Sequence, residues 1–449
     1  MTTPASLALA ERAAPRYTSY PTAPHFSAAV GESEARAWLG ALAPATTLSL
    51  YLHVPFCPSI CAYCGCHTKA VKQDAPVAAY KETLEREIAL VAAATPARRV
   101  KMLHWGGGTP SMLGPQRFAE LVGALKERFD VAEDAEHAIE LDPRLVDAAL
   151  VEALVAAGVT RVSLGVQDFN PHVQEAMGRV QPYDIVESAV RLIRGAGISA
   201  INFDLMYGLP DQSTPDVVAT ARLAAGLGPS RLAVFGYAHV PWFASRQKLV
   251  EAVRLPGAAE RLEQAEAVRG ALEAEGYVAI GLDHFAKPED DLARAAEQKR
   301  LRRNFQGYTA DPADALIPFG VSSIGRLPQG YIGNAPDIGG WRRAVEAGRL
   351  PIARGLAFSP DDIARGAAIE RLMCDFALDF GALAAAHGFA EHAFDAALPR
   401  LATLAEEGLI TLSGRVIAVT QSGRPFVRLA AAAFDAYLDA GAARHSVAV

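Results

Sequence analysis

The sequence predicts an α/β protein, a partial (β/α)6 barrel followed by a small C-terminal domain that is mostly helical and winged-helix-like. Three observations carry this. Six short, β-rich apolar runs are separated by segments of helical periodicity, the residues closing those runs are polar or glycine, and the text after Pro360 reads as helices ending in a two-stranded hairpin.

The six runs are 48–54, 100–105, 138–141, 161–165, 200–206 and 232–237. Between the first two, Tyr80, Leu84, Ile88 and Val91 fall on one face of a helix over 78–94, with Glu82, Glu85 and Arg86 turned away. Phe118, Leu121, Val122, Leu125 and Phe129 repeat the spacing in the next gap. Short strands alternating with helices of this length imply right-handed crossovers and a parallel sheet. Beyond Pro256 a helix over 258–275, a strand over 277–282 and the run Asp283-His284-Phe285-Ala286 are expected. A helix through Asp375, strands at 408–411 and 415–420 and a final helix over 426–438 complete the chain. The division is a 1–35 extension, a 36–255 barrel core, a 256–358 barrel extension and a 359–449 C-terminal domain.

A barrel places its chemistry at the C-terminal ends of its strands. There stand Gly106-Gly107-Gly108-Thr109, Glu140 with Asp142-Pro143-Arg144, and Gln167-Asp168, with Asp204 inside the fifth run. Each alone is equally readable as a turn, a cap or a satisfied core group; their shared position points to a site. Lys299, Arg300, Arg302 and Arg303, with Arg326 nearby, form a basic run that reads on its own as a solvated helix face.

With 43 Lys+Arg against 50 Asp+Glu, a net charge of −7, the chain lacks the basic footprint of a nucleic-acid binder, so the winged-helix-like domain is read as a packing module or lid. The longest stretch free of charged residues, 37–68, contains three prolines and two histidines, which argues against a lipid-facing helix. The N-terminus meets Glu11 and Arg12 before any long apolar run, so no secretory signal and a cytoplasmic location are expected.

Of five cysteines, Cys57, Cys61, Cys64 and Cys66 fall within ten residues, and Cys374 stands alone as a small core residue. Such a cluster in a reducing compartment points to metal or catalysis rather than disulfides. Structural zinc is one reading, but zinc sites are usually assembled from two separated ligand pairs. Thiolates on one short loop suit a cubane iron–sulfur cluster with one iron left open.

The spacing Cys57-x3-Cys61-x2-Cys64, with Tyr63 before the third thiol, resembles the signature of the radical S-adenosylmethionine (SAM) superfamily. Further motifs run in order along nearly the whole chain. They are Arg16-Tyr17-Thr18-Ser19-Tyr20-Pro21-Thr22, Tyr51-Leu52-His53-Val54-Pro55-Phe56, Gly165-Val166-Gln167-Asp168-Phe169-Asn170, Tyr207-Gly208-Leu209-Pro210, Asp283-His284-Phe285-Ala286 and Arg303-Asn304-Phe305-Gln306-Gly307-Tyr308. Together they resemble the oxygen-independent coproporphyrinogen III oxidase (dehydrogenase) family of haem synthesis.

That resemblance implies a radical SAM barrel and a [4Fe-4S] cluster on Cys57, Cys61 and Cys64. It implies one SAM on the cluster, contacted by Tyr51, Gly107 and Glu140, and a second SAM contacted by Tyr63, Gly108, Thr109, Gln167, Arg179, Asp204 and Ala238 and lined by Ile324. Cys66 is implied in substrate handling or proton transfer, and Phe305 and Gln306 in activity. The implied partners are coproporphyrinogen III and a low-potential electron donor such as flavodoxin or ferredoxin, acting on a monomer with no nucleic acid and no membrane. A haem-binding chaperone of the same fold and a radical SAM haem methyltransferase are the rivals; Cys66 and the stretch 304–308 favour the oxidase.

Overall fold

The computed structural model describes residues 4–438. The six runs form strands β1 (Leu48–Val54), β2 (Arg99–Gly107), β3 (Asp130–Leu141), β4 (Arg161–Gln167), β5 (Ala200–Tyr207) and β6 (Arg231–Gly236), paired in that order and all parallel. The helices Ala75–Ala94, Pro115–Arg128, Ala148–Ala157, Tyr183–Gly195 and Thr214–Gly226 fill the crossovers. Their apolar stripes meet Leu103, Trp105, Ile139, Val162, Leu164, Ile201 and Phe203 in the main core.

Strands buried on both faces usually read as unbroken apolar runs. Here they alternate. Arg161, Ser163, Gly165 and Gln167 on β4, with Asn202 and Asp204 on β5, face the barrel lumen, while the residues between them are buried against helices. The lumen is therefore polar and open where a closed barrel would be packed with branched apolar side chains.

The sheet extends further than the six runs predict. Strand Ala315–Phe319 joins β1 in parallel, and Ile324–Leu327, Gly330–Asn334 and Ile352–Ala357 continue from it antiparallel, giving one twelve-stranded sheet among the described residues. The hairpin Val278–Ile280/His284–Ala286 closes the other edge against β6.

The C-terminal unit holds helices Pro360–Asp375, Phe380–Ala386 and Leu398–Glu406 and the hairpin Ile410–Ser413/Val416–Val419. Leu9, Ala10, Tyr17 and Tyr20 of the N-terminal segment are buried in this unit's own core. The last helix spans Val427–Ala432 and stops short of the expected 438. The chain turns there to bury Phe434 against Phe380 and Phe394, and Asp435 accepts a hydrogen bond from Tyr17 Oη at 3.0 Å. Among the described residues no helix is long and apolar enough to cross a membrane.

Candidate functional site

At the C-terminal end of the barrel strands the cysteine loop caps a cavity of about 680 Å³ that runs down the lumen. Cys57, Cys61, Cys64 and Cys66 line it together with Tyr51, Tyr63, Gly107, Gly108, Thr109, Glu140, Gln167, Arg179, Asp204, Ala238, Phe305 and Gln306. Ile324 does not line it; it sits on the antiparallel extension, paired with Gly333. Lys299, Arg300, Arg302 and Arg326 are also outside the lining, and Arg303 faces a neighbouring recess.

The loop is anchored by backbone. Gly108 N–H donates to the Val54 carbonyl at 2.8 Å and Thr109 N–H to that of Phe56 at 2.7 Å, tying the glycine run to the start of the loop. Thr109 Oγ1 donates to Cys57 Sγ at 3.4 Å, and Arg179 Nη1 stands 3.6 Å from Cys61 Sγ. Arg179 is held in turn by the Gly165 carbonyl at 2.7 Å and the Asp142 carboxylate at 3.4 Å. Burial pushes the Cys57 thiol up. Interaction with Cys66 brings the Cys64 thiol down to about 7 and raises Cys66 itself.

Glu140 is the next fixed point. Its Oε2 accepts from Gly107 N–H at 3.1 Å and its Oε1 lies 3.1 Å from His104 Nε2. Burial alone would raise it, yet the His104 imidazole and the Gly107 amide hold it below the usual carboxylate range. Glycine is required here twice. A Cβ on Gly106 would stand 2.8 Å from the Glu140 carboxylate, and Gly107 has φ +112° with the His53 ring 2.5 Å from where its Cβ would be.

Asp204 accepts from Ser163 Oγ at 3.1 Å and Asn202 Nδ2 at 2.9 Å, and burial with the nearby Glu140 charge raises it to about 6. Gln167 adopts φ +69° where the β4–β5 register shifts, a bulge that re-aims its side chain into the lumen. Asp168, by contrast, is a core group, fully buried and bonded to Asn170 and Gln212.

Strands Arg302–Asn304 and Gly307–Thr309 pair as a hairpin whose two-residue turn is Phe305-Gln306. Asn304 Oδ1 accepts from Gln306 N–H at 2.9 Å, fixing the turn, and the buried Gln306 Nε2 has no partner. The floor of the lumen is closed by ion pairs, Arg161–Glu136 at 2.8 Å and Arg231–Asp290 at 2.6 Å. Sequence reading passed over Arg161, Ser163, Asn202 and Arg231; their signal was the period-2 recurrence of polar residues inside strands that ought to be apolar throughout.

The donor set can be tested against a cluster. Among the described residues no three His, Cys, Asp or Glu side chains are close enough to share one metal ion. A cubane spreads its thiolates over separate irons, so three thiols on one loop need not converge on a point. The unpartnered Gln306 Nε2 donor, the unpartnered His104 Nδ1 and the side-chain-free approach at Gly106 and Gly107 leave hydrogen-bonding groups and space for a polar ligand beside it.

Residues 51–224 match the model of the radical SAM superfamily, and 358–426 match that of the HemN C-terminal domain. The oxygen-independent coproporphyrinogen III oxidase of Bradyrhizobium diazoefficiens is 48% identical over 441 residues, covering 98% of both chains. The chain belongs to the oxygen-independent coproporphyrinogen III oxidase family. The protein of that name from Paracoccus denitrificans is 42% identical, over 99% of this chain and 98% of its own. The solved coproporphyrinogen III oxidase of Escherichia coli, described as a radical SAM enzyme, superposes with a TM-score of 0.90 at 37% identity, covering 94% of this chain and 98% of that one. As a radical SAM family member, the chain takes a [4Fe-4S] cluster and SAM as its cofactors.

Proposed function

We propose that the chain converts two propionate side chains of coproporphyrinogen III to vinyl groups by oxidative decarboxylation, giving protoporphyrinogen IX in oxygen-independent haem synthesis. The observation that carries this is the near full-length likeness to oxidases of that name, on a fold whose thiol loop caps one polar lumen. Cys57, Cys61 and Cys64 would hold the [4Fe-4S] cluster. With SAM bound, the cluster supplies a 5′-deoxyadenosyl radical able to take a hydrogen atom from a propionate β-carbon.

The chain's own residues bind, orient and exclude water. Tyr51, Gly107 and Glu140 receive the first SAM; Glu140, held anionic by His104, accepts from ribose hydroxyls. Tyr63, Gly108, Thr109, Gln167, Arg179, Asp204 and Ala238 receive a second SAM, with Arg179 suited to a carboxylate. Phe305 packs beside the substrate, Gln306 Nε2 donates to a bound oxygen, and Cys66 moves a proton or holds the substrate. The low-potential electron donor is a flavodoxin or a ferredoxin, the protein works as a monomer in the cytoplasm, and its C-terminal unit packs rather than binds nucleic acid. The oxidase name on the relatives supports this reading over a haem chaperone or a haem methyltransferase.

The test is anaerobic turnover of the reconstituted protein with coproporphyrinogen III, SAM and dithionite. Protoporphyrinogen with 5′-deoxyadenosine is expected; tight haem binding without either product, or a methylated haem, would sink the proposal.

A further inference from the structure

Beside the lumen lies a recess of about 60 Å³ that shares Arg16, Gly236 and Tyr237 with the large cavity. Arg16 reaches it from the N-terminal segment, Arg261 and Arg269 from helix Ala258–Ala274, Arg303 from the hairpin that carries Phe305, and Arg428 from helix Val427–Ala432. Against these five guanidinium groups the described lining offers two carboxylates, Asp283 and Glu266.

Asp283 is already engaged. Its Oδ1 is 2.7 Å from His284 Nδ1 and 3.7 Å from Arg303 Nη1. The Arg303 side chain is 4% exposed, and its Nε and Nη1 make no hydrogen bond. It lies over the Tyr308 ring at 4.4 Å. Arg16 Nη2 donates to a neutral acceptor, the Gly236 carbonyl, at 2.8 Å. Arg269 Nη1 likewise lacks a hydrogen bond, its nearest carboxylate being the half-exposed Glu273 at 3.9 Å. Burial and then the neighbouring Arg16 bring Arg428 down to about 9, which still leaves it cationic at neutral pH. Buried cations of one sign are costly unless an anion joins them, and guanidinium forks match a carboxylate in shape.

We infer that this recess seats a carboxylate, one of the propionates that coproporphyrinogen III keeps, while the tetrapyrrole body occupies the adjoining lumen. The inference rests on the oxidase reading and adds to it how the substrate is held. Because the cations come from the N-terminal segment, the hairpin and the C-terminal unit, seating one propionate also fixes which rings face the thiol loop. A free anion such as inorganic phosphate has the same recognition chemistry, so the experiment separates the two.

Steady-state kinetics with coproporphyrinogen III would be run on reconstituted holoenzyme of the wild type, Arg303→Gln, Arg303→Lys and Arg269→Gln, with the surface change Arg36→Gln as control. Iron content and far-UV circular dichroism report folding; if Arg303→Gln does not fold, Arg269→Gln carries the test. KM is expected to rise about tenfold or more in the Gln variants, with kcat less affected, and to recover in part in Arg303→Lys. Binding of coproporphyrin III is expected to exceed that of its tetramethyl ester in the wild type, a preference the Gln variants lose. Unchanged KM and an unchanged preference in folded variants would overturn the inference. So would phosphate binding that the variants abolish while KM stays put, since the recess would then hold a free anion. A wild type that binds both porphyrins yet makes no protoporphyrinogen would instead overturn the oxidase reading.

Discussion

Phe305 meets Tyr51 edge to face, with ring centroids 4.7 Å apart and planes at 81°. The contact joins the tip of a two-residue turn to the strand that leads into the thiol loop, so it sets how far the hairpin enters the lumen. Such a pair contributes about 0.5–1.5 kcal/mol beyond its buried area. Replacing Phe305 with Ala is expected to lower turnover at least about tenfold while iron content stays at the wild-type level. Loss of iron in parallel with activity would place Phe305 in cluster support instead.

Gly107→Ala forces a side chain into a left-handed backbone and against the His53 ring, whose Nδ1 lies 3.1 Å from Tyr51 Oη. The backbone strain costs about 1–3 kcal/mol. SAM affinity, measured by equilibrium dialysis of the reconstituted protein, is expected to fall tenfold or more. Unaltered affinity would remove the glycine run from the SAM site.

Glu87 is fully buried on the inner face of helix Ala75–Ala94. It accepts from Gly320 N–H at 2.7 Å, Trp341 Nε1 at 3.0 Å and Asn334 Nδ2 at 2.6 Å. Burial outweighs these donors and raises it to about 7 from a usual 4.5. A carboxyl raised on folding makes the folded state bind more protons between those values, so stability falls as pH rises from about 4.5 to 7. The span amounts to roughly 3–4 kcal/mol at most. Glu87→Gln is expected to flatten the melting temperature between pH 5 and 7.5. Asn334 Oδ1, which lacks a partner, can turn to accept from the new amide. An equally steep profile in the variant would assign the pH dependence elsewhere.

Cys61→Ala and Cys66→Ser are expected to part company. The first should abolish the brown chromophore, because Cys61 is a thiol of the proposed ligand set. The second should keep the iron and lose turnover, since Cys66 lies past the signature spacing although it lines the same cavity. Iron lost from Cys66→Ser would make it a ligand.

Local signals that agree with one another were legible. Strand β1 spans the residues that the apolar run marks, and helix Pro360–Asp375 starts on the Ser359/Asp362 capping box with proline at its first turn. The strand-end residues Glu140 and Gln167 meet the thiols in one cavity because a parallel barrel brings strand ends together, and Asp204 joins them from the lumen face inside β5. The extension from Ala315 to Ala357 was not legible as strands. Its segments are short and broken by Pro318, Gly325 and Gly333, and only pairing with β1 and one another orders them. Glu87 could have been noticed as a carboxylate three residues after Leu84 on an apolar stripe, but nothing local names Gly320, Asn334 and Trp341 as its donors. The arginine recess is likewise invisible in the chain, since its walls come from residues about 400 apart, Arg16 and Arg428.

The most direct measurement is iron, sulfide and zinc content of anaerobically reconstituted protein, with electron paramagnetic resonance of the dithionite-reduced sample before and after SAM is added. About four irons and four sulfides per chain are expected, with a cluster signal that changes on SAM addition and disappears in Cys61→Ala. Stoichiometric zinc, and a sample that stays colourless after iron and sulfide are supplied, would contradict the open-iron cluster on which the rest depends.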